Sequence, residues 1–434
     1  VKICVICGYK ITKAMSKMYL KSYPIKLVKS ARDKQNNRII WEMFFVLEQL
    51  LSGGKDRKIV TSAIVKRVRT VIGFYLPSPY RPKGVINSVE QWFKDSIPPQ
   101  MEGSWVKEIF PEHSVELKRL NHTTDETCPA FSECVKSYPV RKAYLCFLKN
   151  ARVVNENGVV ISYDNKVFAD FTSDLGKPIE EHEVFKSYIK KPQFRKECLA
   201  TMAFTDNTNY FHWIFECLPR LKLLEDVIDE IDYLIVPDNL KRFHIESLNL
   251  LGFPEEKLLR IKDGDHLLCE SLFVPSSLPD VSKWTCDFLR ESFIPEDVVE
   301  PYRLIYISRK DALYRKIINE KEVEDYLREI GFEIVQMSEL PFSEQVKICA
   351  EARIVVGPHG AGLSNTIFCR NAKILEIFSP SYGMNFWGLA NQFGNDYYYL
   401  LGEDAPGNSP PPWRDFKVDM KTFKETIDKM LGDV

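Results

Sequence analysis

"ARIVVGPHGAGLSNTIFC", residues 352–369, decides how the rest of the chain is read. Ile354, Val355 and Val356 form a strand-like apolar run that ends in Gly-Pro-His-Gly-Ala-Gly, and a helix-like segment follows at once. A strand that turns into a helix through glycines belongs to α/β folds, where strand ends share one sheet edge and ligands bind beside it. The first amides of a helix lack internal partners, and its dipole leaves partial positive charge there. The stretch therefore suits a phosphate or another anion. A glycine-rich turn beside a half-buried histidine is the plainer alternative.

Three known motifs fail on it. Gly357 to Gly362 has P-loop spacing, but Leu363 stands where the motif needs Lys. Gly360-Ala361-Gly362-Leu363-Ser364-Asn365 puts Asn where a dinucleotide fingerprint needs its third Gly. An esterase needs a G-x-S-x-G elbow, which the sequence lacks. A phosphate-binding turn with an imidazole beside it survives.

The surrounding sequence repeats one grammar. "RLIYISR" (303–309), "EIVQM", "RIVVG" and "AKILEIF" are strands; "NEKEVEDYLREIGF" (319–332) and "PFSEQVKICAEA" are helices, the first opened by Asn319. This alternation predicts a doubly wound sheet. Upstream, "ARVVNENGVVIS" reads as a hairpin, and "NYFHWIFECLPRLKLLEDV" (209–227) as a helix kinked or restarted at Pro219. "IDYLIVPDN", "KRFHIESLNLLGF", "LLRI" and "HLLCESLFVPSS" suggest a second, parallel α/β layer. "APGNSPPPW" (405–413) is a linker, and "MKTFKETIDKML" (420–431) a final amphipathic helix. The expected layout is an N-terminal segment of uncertain fold over 1–130, α/β domains over 131–298 and 299–404, and a linker with a helix over 405–434.

A length of 434 residues fits two domains, and 45% hydrophobic with 27% charged residues is a globular composition. The net charge of −1 hides an asymmetry: residues 1–72 hold 16 Lys and Arg against 4 Asp and Glu. That is either a set of solvated helix faces or a basic surface for anionic lipid or polymer. Eleven cysteines show no framework spacing; Cys4-x-x-Cys7 has no matching second pair for zinc, and a reduced, cytoplasmic setting is expected. No run of 18 apolar residues occurs, and the start, at Val1, lacks a signal-peptide apolar region.

Arg309, Lys310 and Arg315 follow a strand of the predicted sheet and approach the same edge as His359. They are either surface charge or a diphosphate clamp, since guanidinium binds phosphate bidentately. Glu376 is either a ribose-hydroxyl acceptor or an ordinary edge-strand carboxylate. Asn209, His212 and Glu216 share a helix face amid aromatics: a buried network, an acceptor site with a general base, or two ligands of a metal lacking a third.

"NYFHWIFECLPRL", "RLIYISRKDALYRKIINEKEV", "SEQVKICAEARIVVGPHGAGLSNTIFC" and "AKILEIF", in that order, resemble glycosyltransferase family 61, the capsular-polysaccharide-type glycosyltransferases, over roughly residues 140–402. The resemblance implies an α/β, GT-B-like fold: two Rossmann-like domains facing across a cleft. It implies an inverting, metal-independent enzyme with no cofactor. The donor would be a nucleotide-sugar, commonly a UDP-sugar, and the acceptor a glycan of surface polysaccharide, glycolipid or glycoprotein. By position, His359, Gly360, Gly362 and Asn365 would line the diphosphate and sugar, Ser308, Arg309 and Arg315 would clamp the phosphates, and Glu376 would sit near the nucleoside. Asn209, His212 and Glu216 would form the acceptor side, with Glu216 the first choice of base and His212 the second. The competing functions are a catalytically inactive nucleotide- or sugar-binding protein of the same fold and a nucleotide-sugar-modifying oxidoreductase. The basic N-terminal segment is expected to touch an anionic membrane carrying a lipid-linked acceptor; nucleic acid is not an expected partner.

Overall fold

In the computed structural model of the chain, the described residues are 78–95, 97–116, 137–172, 178–202, 208–278, 281–297, 300–379, 385–405 and 413–432. The basic segment to residue 72, the C-x-x-C pair and most of the Pro-rich linker lie outside them. The chain divides into two compact units, Val1–Arg81 with Glu183–Ile189, and Pro82–His182 with Lys190–Val434. In the first, the Ser78 hydroxyl donates to the Ile189 carbonyl. Everything below concerns the second.

Its first strands in chain order are β1 (Gly84–Ile86), β2 (Trp105–Phe110), β3 (His113–Glu116), β4 (Ser137–Val140), β5 (Ala143–Val154), β6 (Val159–Ile161) and β7 (Lys166–Phe168). They continue with β8 (Gln193–Thr201), β9 (Tyr233–Pro237), β10 (Leu258–Ile261) and β11 (His266–Pro275). β3 and β4 pair only with each other; the rest make one sheet in the order β1-β7-β6-β5-β11-β8-β9-β10, with β2 also on β5. The expected hairpin is β5–β6, with Asn155 and Gly158 at positive φ in its turn. Its long first arm pairs antiparallel with β11, from His266↔Val154 to Pro275↔Leu145. The layer is therefore mixed, parallel among β11, β8, β9 and β10 and between β1 and β7, and antiparallel elsewhere. Residues 84–110, expected in a segment of uncertain fold, supply β1 and β2 to this sheet.

The second sheet comprises β12 (Arg303–Ile307), β13 (Glu333–Val335), β14 (Ala352–Pro358), β15 (Lys373–Phe378) and β16 (Asp396–Leu401). Every pairing is parallel and the order is β13-β12-β14-β15-β16. Numbered within the sheet this is 2-1-3-4-5, the flavodoxin-like arrangement, whose order reverses between its first and third strands. The period-two alternation is complete. Tyr306, Ile354, Val356, Leu375, Ile377, Tyr398 and Leu400 pack with Val323 and Leu327 of the helix Glu320–Glu329 and with Phe423, Ile427 and Met430 of the helix Met420–Gly432. Asn319 does not cap its helix with its side chain; its amide bonds the Val418 backbone in both directions, to the carbonyl at 2.9 Å and from the N–H at 3.0 Å.

On the other face, Ile305, Ile307, Val355, Ile374 and Phe378 join a core that also holds Trp213, Ile214, Phe215, Ala200 and Leu234 from the first half. The two sheets are thus united by one apolar layer. The C-terminal helix belongs to the fold as much as any strand: Phe423 is fully buried on the sheet. Phe423→Ala is expected to lower unfolding free energy by about 3–5 kcal/mol, measured by urea denaturation; a loss under about 1 kcal/mol would mean that this helix does not pack as described.

Candidate active site

The strand order places the ends of β12 and β14 side by side where it reverses, the position at which doubly wound sheets bind ligands. Ser308 and Arg309 leave β12 there, Gly357 and Pro358 end β14, and His359 and Gly360 leave it. The segment after the turn, Ala361–Phe368, is a 3-10 rather than an α-helix, begun by Gly360 in an extended conformation. Gly360 is required by contact, not by strain. A Cβ on it would meet Arg309 Nη1 at 1.6 Å, so the guanidinium lies directly on the glycine backbone. Gly362 has less room than most residues need, its Cβ position being 3.0 Å from Ile307 Cγ2.

Burial lowers the pKa of both guanidinium groups, and the charge of Arg315 adds to the lowering at Arg309. Burial first and the Arg315 charge second pull Arg309 down to about 10. Among the described residues neither has a carboxylate at ion-pair distance, and the Nε of each is buried without a hydrogen-bond partner. Arg309 Nη2 reaches only the Tyr314 carbonyl, at a long 3.4 Å. Arg315 sits at φ 59° with its guanidinium over the rings of Tyr314 and Trp413, 5.6 and 5.7 Å from their centres. Two half-buried cations with unused donors have the chemistry that pairs with an oxyanion. Lys310 does not join them; its ammonium pairs with Glu324 at 2.6 Å.

Ser308 does not face the clamp. It is buried, and its hydroxyl donates to Glu320 Oε1 at 2.9 Å. The same oxygen accepts from the Tyr306 hydroxyl at 3.0 Å and, weakly, from the Arg309 amide at 3.4 Å. Glu320 is thereby the anchor of the strand end that presents Arg309. Its spacing of 12 from Ser308 carries no local signal in the sequence.

Asn365 is also buried, its amide fully engaged: Oδ1 accepts from the Tyr210 hydroxyl at 2.6 Å, and Nδ2 donates to Gln345 Oε1 at 3.1 Å and to the Gly362 carbonyl at 3.2 Å. It pins the turn to the first half rather than lining a ligand. Glu376 is neither an edge residue nor open to a ribose. It lies in β15, between β14 and β16, with no exposed surface. His359 Nδ1 bonds one of its oxygens and the Tyr397 hydroxyl donates to the other. His359 itself stays partly exposed, stacked on Phe378 at 5.3 Å.

The segment from 209 is helical throughout but changes pitch. Tyr210–His212 is α, Trp213–Cys217 is a π-turn, and Leu218–Glu230 is 3-10, with Pro219 in the first turn of that last part. Asn209 is the N-cap, its side chain accepting from the Phe211 amide at 3.0 Å, and so does not extend the His–Glu stripe. His212 Nδ1 and Glu216 Oε1 are 2.7 Å apart across the π-turn, a feature that often marks functional sites. The imidazole is the more exposed of the two, 20% against 10%. Successive ring contacts run from His212 to Phe211, from Phe211 to Phe386 and from Phe386 to His359, at 5.6, 6.0 and 5.8 Å between centres. This run of rings links the His212–Glu216 pair to the glycine turn that carries His359. Among the described residues no group of three or more His, Cys, Asp or Glu is arranged to hold a metal ion.

Comparison with known proteins fits this geometry. The family model described as Glycosyltransferase 61 matches residues 210–375, the span from the helical segment to β15. The chain is 28% identical over 146 residues to an EGF domain-specific O-linked N-acetylglucosamine transferase of Drosophila melanogaster, covering 30% of this chain and 28% of that protein. It is 24% identical over 140 residues to the Beta-1,2-xylosyltransferase RCN11 of Oryza sativa subsp. japonica, covering 28% of this chain and 26% of that one. The chain spans little more than a quarter of the length of these relatives.

Two outcomes follow from the cation pair. Arg309→Met is expected to raise the ligand-free melting temperature by roughly 2 °C or more, because a poorly solvated charge is removed. Gly360→Ala is expected to displace the guanidinium and weaken inorganic pyrophosphate binding roughly ten- to hundred-fold by calorimetry. Unchanged pyrophosphate affinity in Gly360→Ala would rule out the anion site.

Proposed function

We propose, from the match to glycosyltransferase family 61 over residues 210–375, that this protein is an inverting glycosyltransferase that takes its sugar from a UDP-sugar without a metal ion. In the GT-B-like arrangement, the β12–β16 sheet holds the donor and the 209–217 segment holds the acceptor. The observation that carries the reading is the unpaired Arg309–Arg315 pair lying against Gly360 at the switch point. Such a pair neutralises a diphosphate, the task a divalent cation performs elsewhere.

The chemistry is a single displacement. An acceptor hydroxyl oxygen forms a bond to the anomeric carbon as the bond from that carbon to the β-phosphate oxygen breaks. The electron pair of the broken bond leaves with the phosphate, where Arg309, Arg315 and the amides after Gly360 receive the growing charge. The hydroxyl proton goes to a base. The geometry favours His212 in that role, with Glu216 behind it: Glu216 Oε1 is engaged by His212 Nδ1 and the carboxylate is buried, and the imidazole is the more accessible group. This exchanges the order expected from sequence. The relatives' names, an N-acetylglucosamine transferase and a xylosyltransferase, make UDP-N-acetylglucosamine and UDP-xylose the first donors to try, with a protein- or glycan-borne hydroxyl as acceptor.

The test is release of nucleotide from a panel of UDP-, GDP- and CMP-sugars in excess EDTA. Turnover of a UDP-sugar is expected; turnover only on adding Mn²⁺ would overturn the metal-free clamp, and UDP binding without turnover would indicate a binding protein. Arg309→Ala is expected to cost on the order of 10² to 10³ in kcat. His212→Ala is expected to cost about 10² to 10⁴ in kcat with donor KM little changed, and an unaffected kcat would exclude His212 as the base.

A further inference from the structure

His359, Glu376 and Tyr397 form a relay that the donor-site reading leaves without a role. Glu376 occupies the one position on its face of β15 where a carboxylate replaces an apolar side chain, between Ile374 and Phe378, and it has no exposed surface. A carboxylate so placed must find donors, and it has two: His359 Nδ1 on one oxygen and the Tyr397 hydroxyl, from the neighbouring β16, on the other. In the parallel register Glu376 lies opposite Gly357 of β14 and Tyr399 of β16, so its side chain spans from the turn to the strand behind it.

An ionised carboxylate only accepts hydrogen bonds, so the imidazole must carry its proton at Nδ1. The ring cannot turn over freely. Its backbone N–H is held by the Ile377 carbonyl at 2.8 Å, Phe378 stacks on it at 24° to its plane, and Phe386 meets it at 5.8 Å. What is left for a ligand is Nε2, on a ring that is 20% exposed and belongs to the residue before the glycine that supports Arg309.

We propose that Glu376 and Tyr397 are positioning residues: they fix the tautomer and direction of His359 so that Nε2 addresses the phosphate bound by Arg309 and Arg315, and they make no contact with the nucleoside. This rests on the donor site proposed above. The carboxylate supplies a counter-charge, so that when Nε2 is also protonated the imidazolium is a third cation beside the two guanidinium groups.

The test has two independent parts. Selective ¹⁵N-histidine labelling is practical because the chain holds seven histidines. The His359 signal, assigned by its loss in His359→Gln, is expected to show Nδ1 protonated in the ligand-free protein and to change in Glu376→Gln. A His359 signal unmoved by that substitution would overturn the proposal, whatever the protein binds. In the second part, Glu376→Gln is expected to weaken inorganic pyrophosphate and UDP to the same extent, roughly ten- to hundred-fold, with no further loss when combined with His359→Gln. Loss for UDP alone would put Glu376 on the ribose and end the proposal. A wild-type protein that binds neither probe but shows the Nδ1 signature would refute the donor site and leave the relay standing. Tyr397→Phe, which deletes one oxygen, keeps the test open should Glu376→Gln fold poorly; it is expected to give a smaller loss of the same, probe-independent kind.

Discussion

The guanidinium of Arg309 lying on the backbone of Gly360 is the contact on which the site depends. It joins the ends of two adjacent parallel strands, and it is available only because β12 and β14 are neighbours in a sheet whose order reverses between them. A side chain at 360 would occupy the space of the cation, and a different strand order would carry Arg309 away from the turn. Sheet topology, one missing Cβ and one long cationic side chain together place the guanidinium at the switch point.

The buried polar groups around it share one logic: each fixes something that faces outward. Glu320 accepts from Tyr306 and Ser308 and holds the strand end that carries Arg309. Asn365 ties the glycine turn to Tyr210. Glu376 holds His359. Glu216 holds His212. Buried polar groups without partners cost about 1–3 kcal/mol each, and here each anchor has found partners. The two arginines break the pattern, with donors still unused, and that imbalance is what supports the proposed donor site.

The parallel sheet was legible in sequence because its strands are short apolar runs alternating with helices of clear period, and the glycine turn because Gly357, Gly360 and Gly362 stand next to a histidine. The His212–Glu216 pair was legible because four-residue spacing puts both on one helical face. Other features depend on partners far away along the chain. Nothing local reveals that Glu376 is met by Tyr397, that Ser308 turns to Glu320 or that Asn365 reaches Tyr210, 155 residues away; each had seemed free to bind a ligand. The first sheet misled for the same reason: the alternation of strands and helices suggests parallel pairing, but β5 is long enough to run antiparallel along β11.

The apolar layer shared by the two sheets restricts how the molecule can move. Swinging the halves apart would wet Trp213, Ile307, Phe378 and Phe386, all now within one continuous core, and uncovering each such side chain costs roughly 1.5–3 kcal/mol. A wide hinge opening at each turnover is thereby ruled expensive. Any ligand at the switch point is then admitted by adjustments of side chains and short loops around a framework that stays closed, so the architecture stores its precision in rigidity.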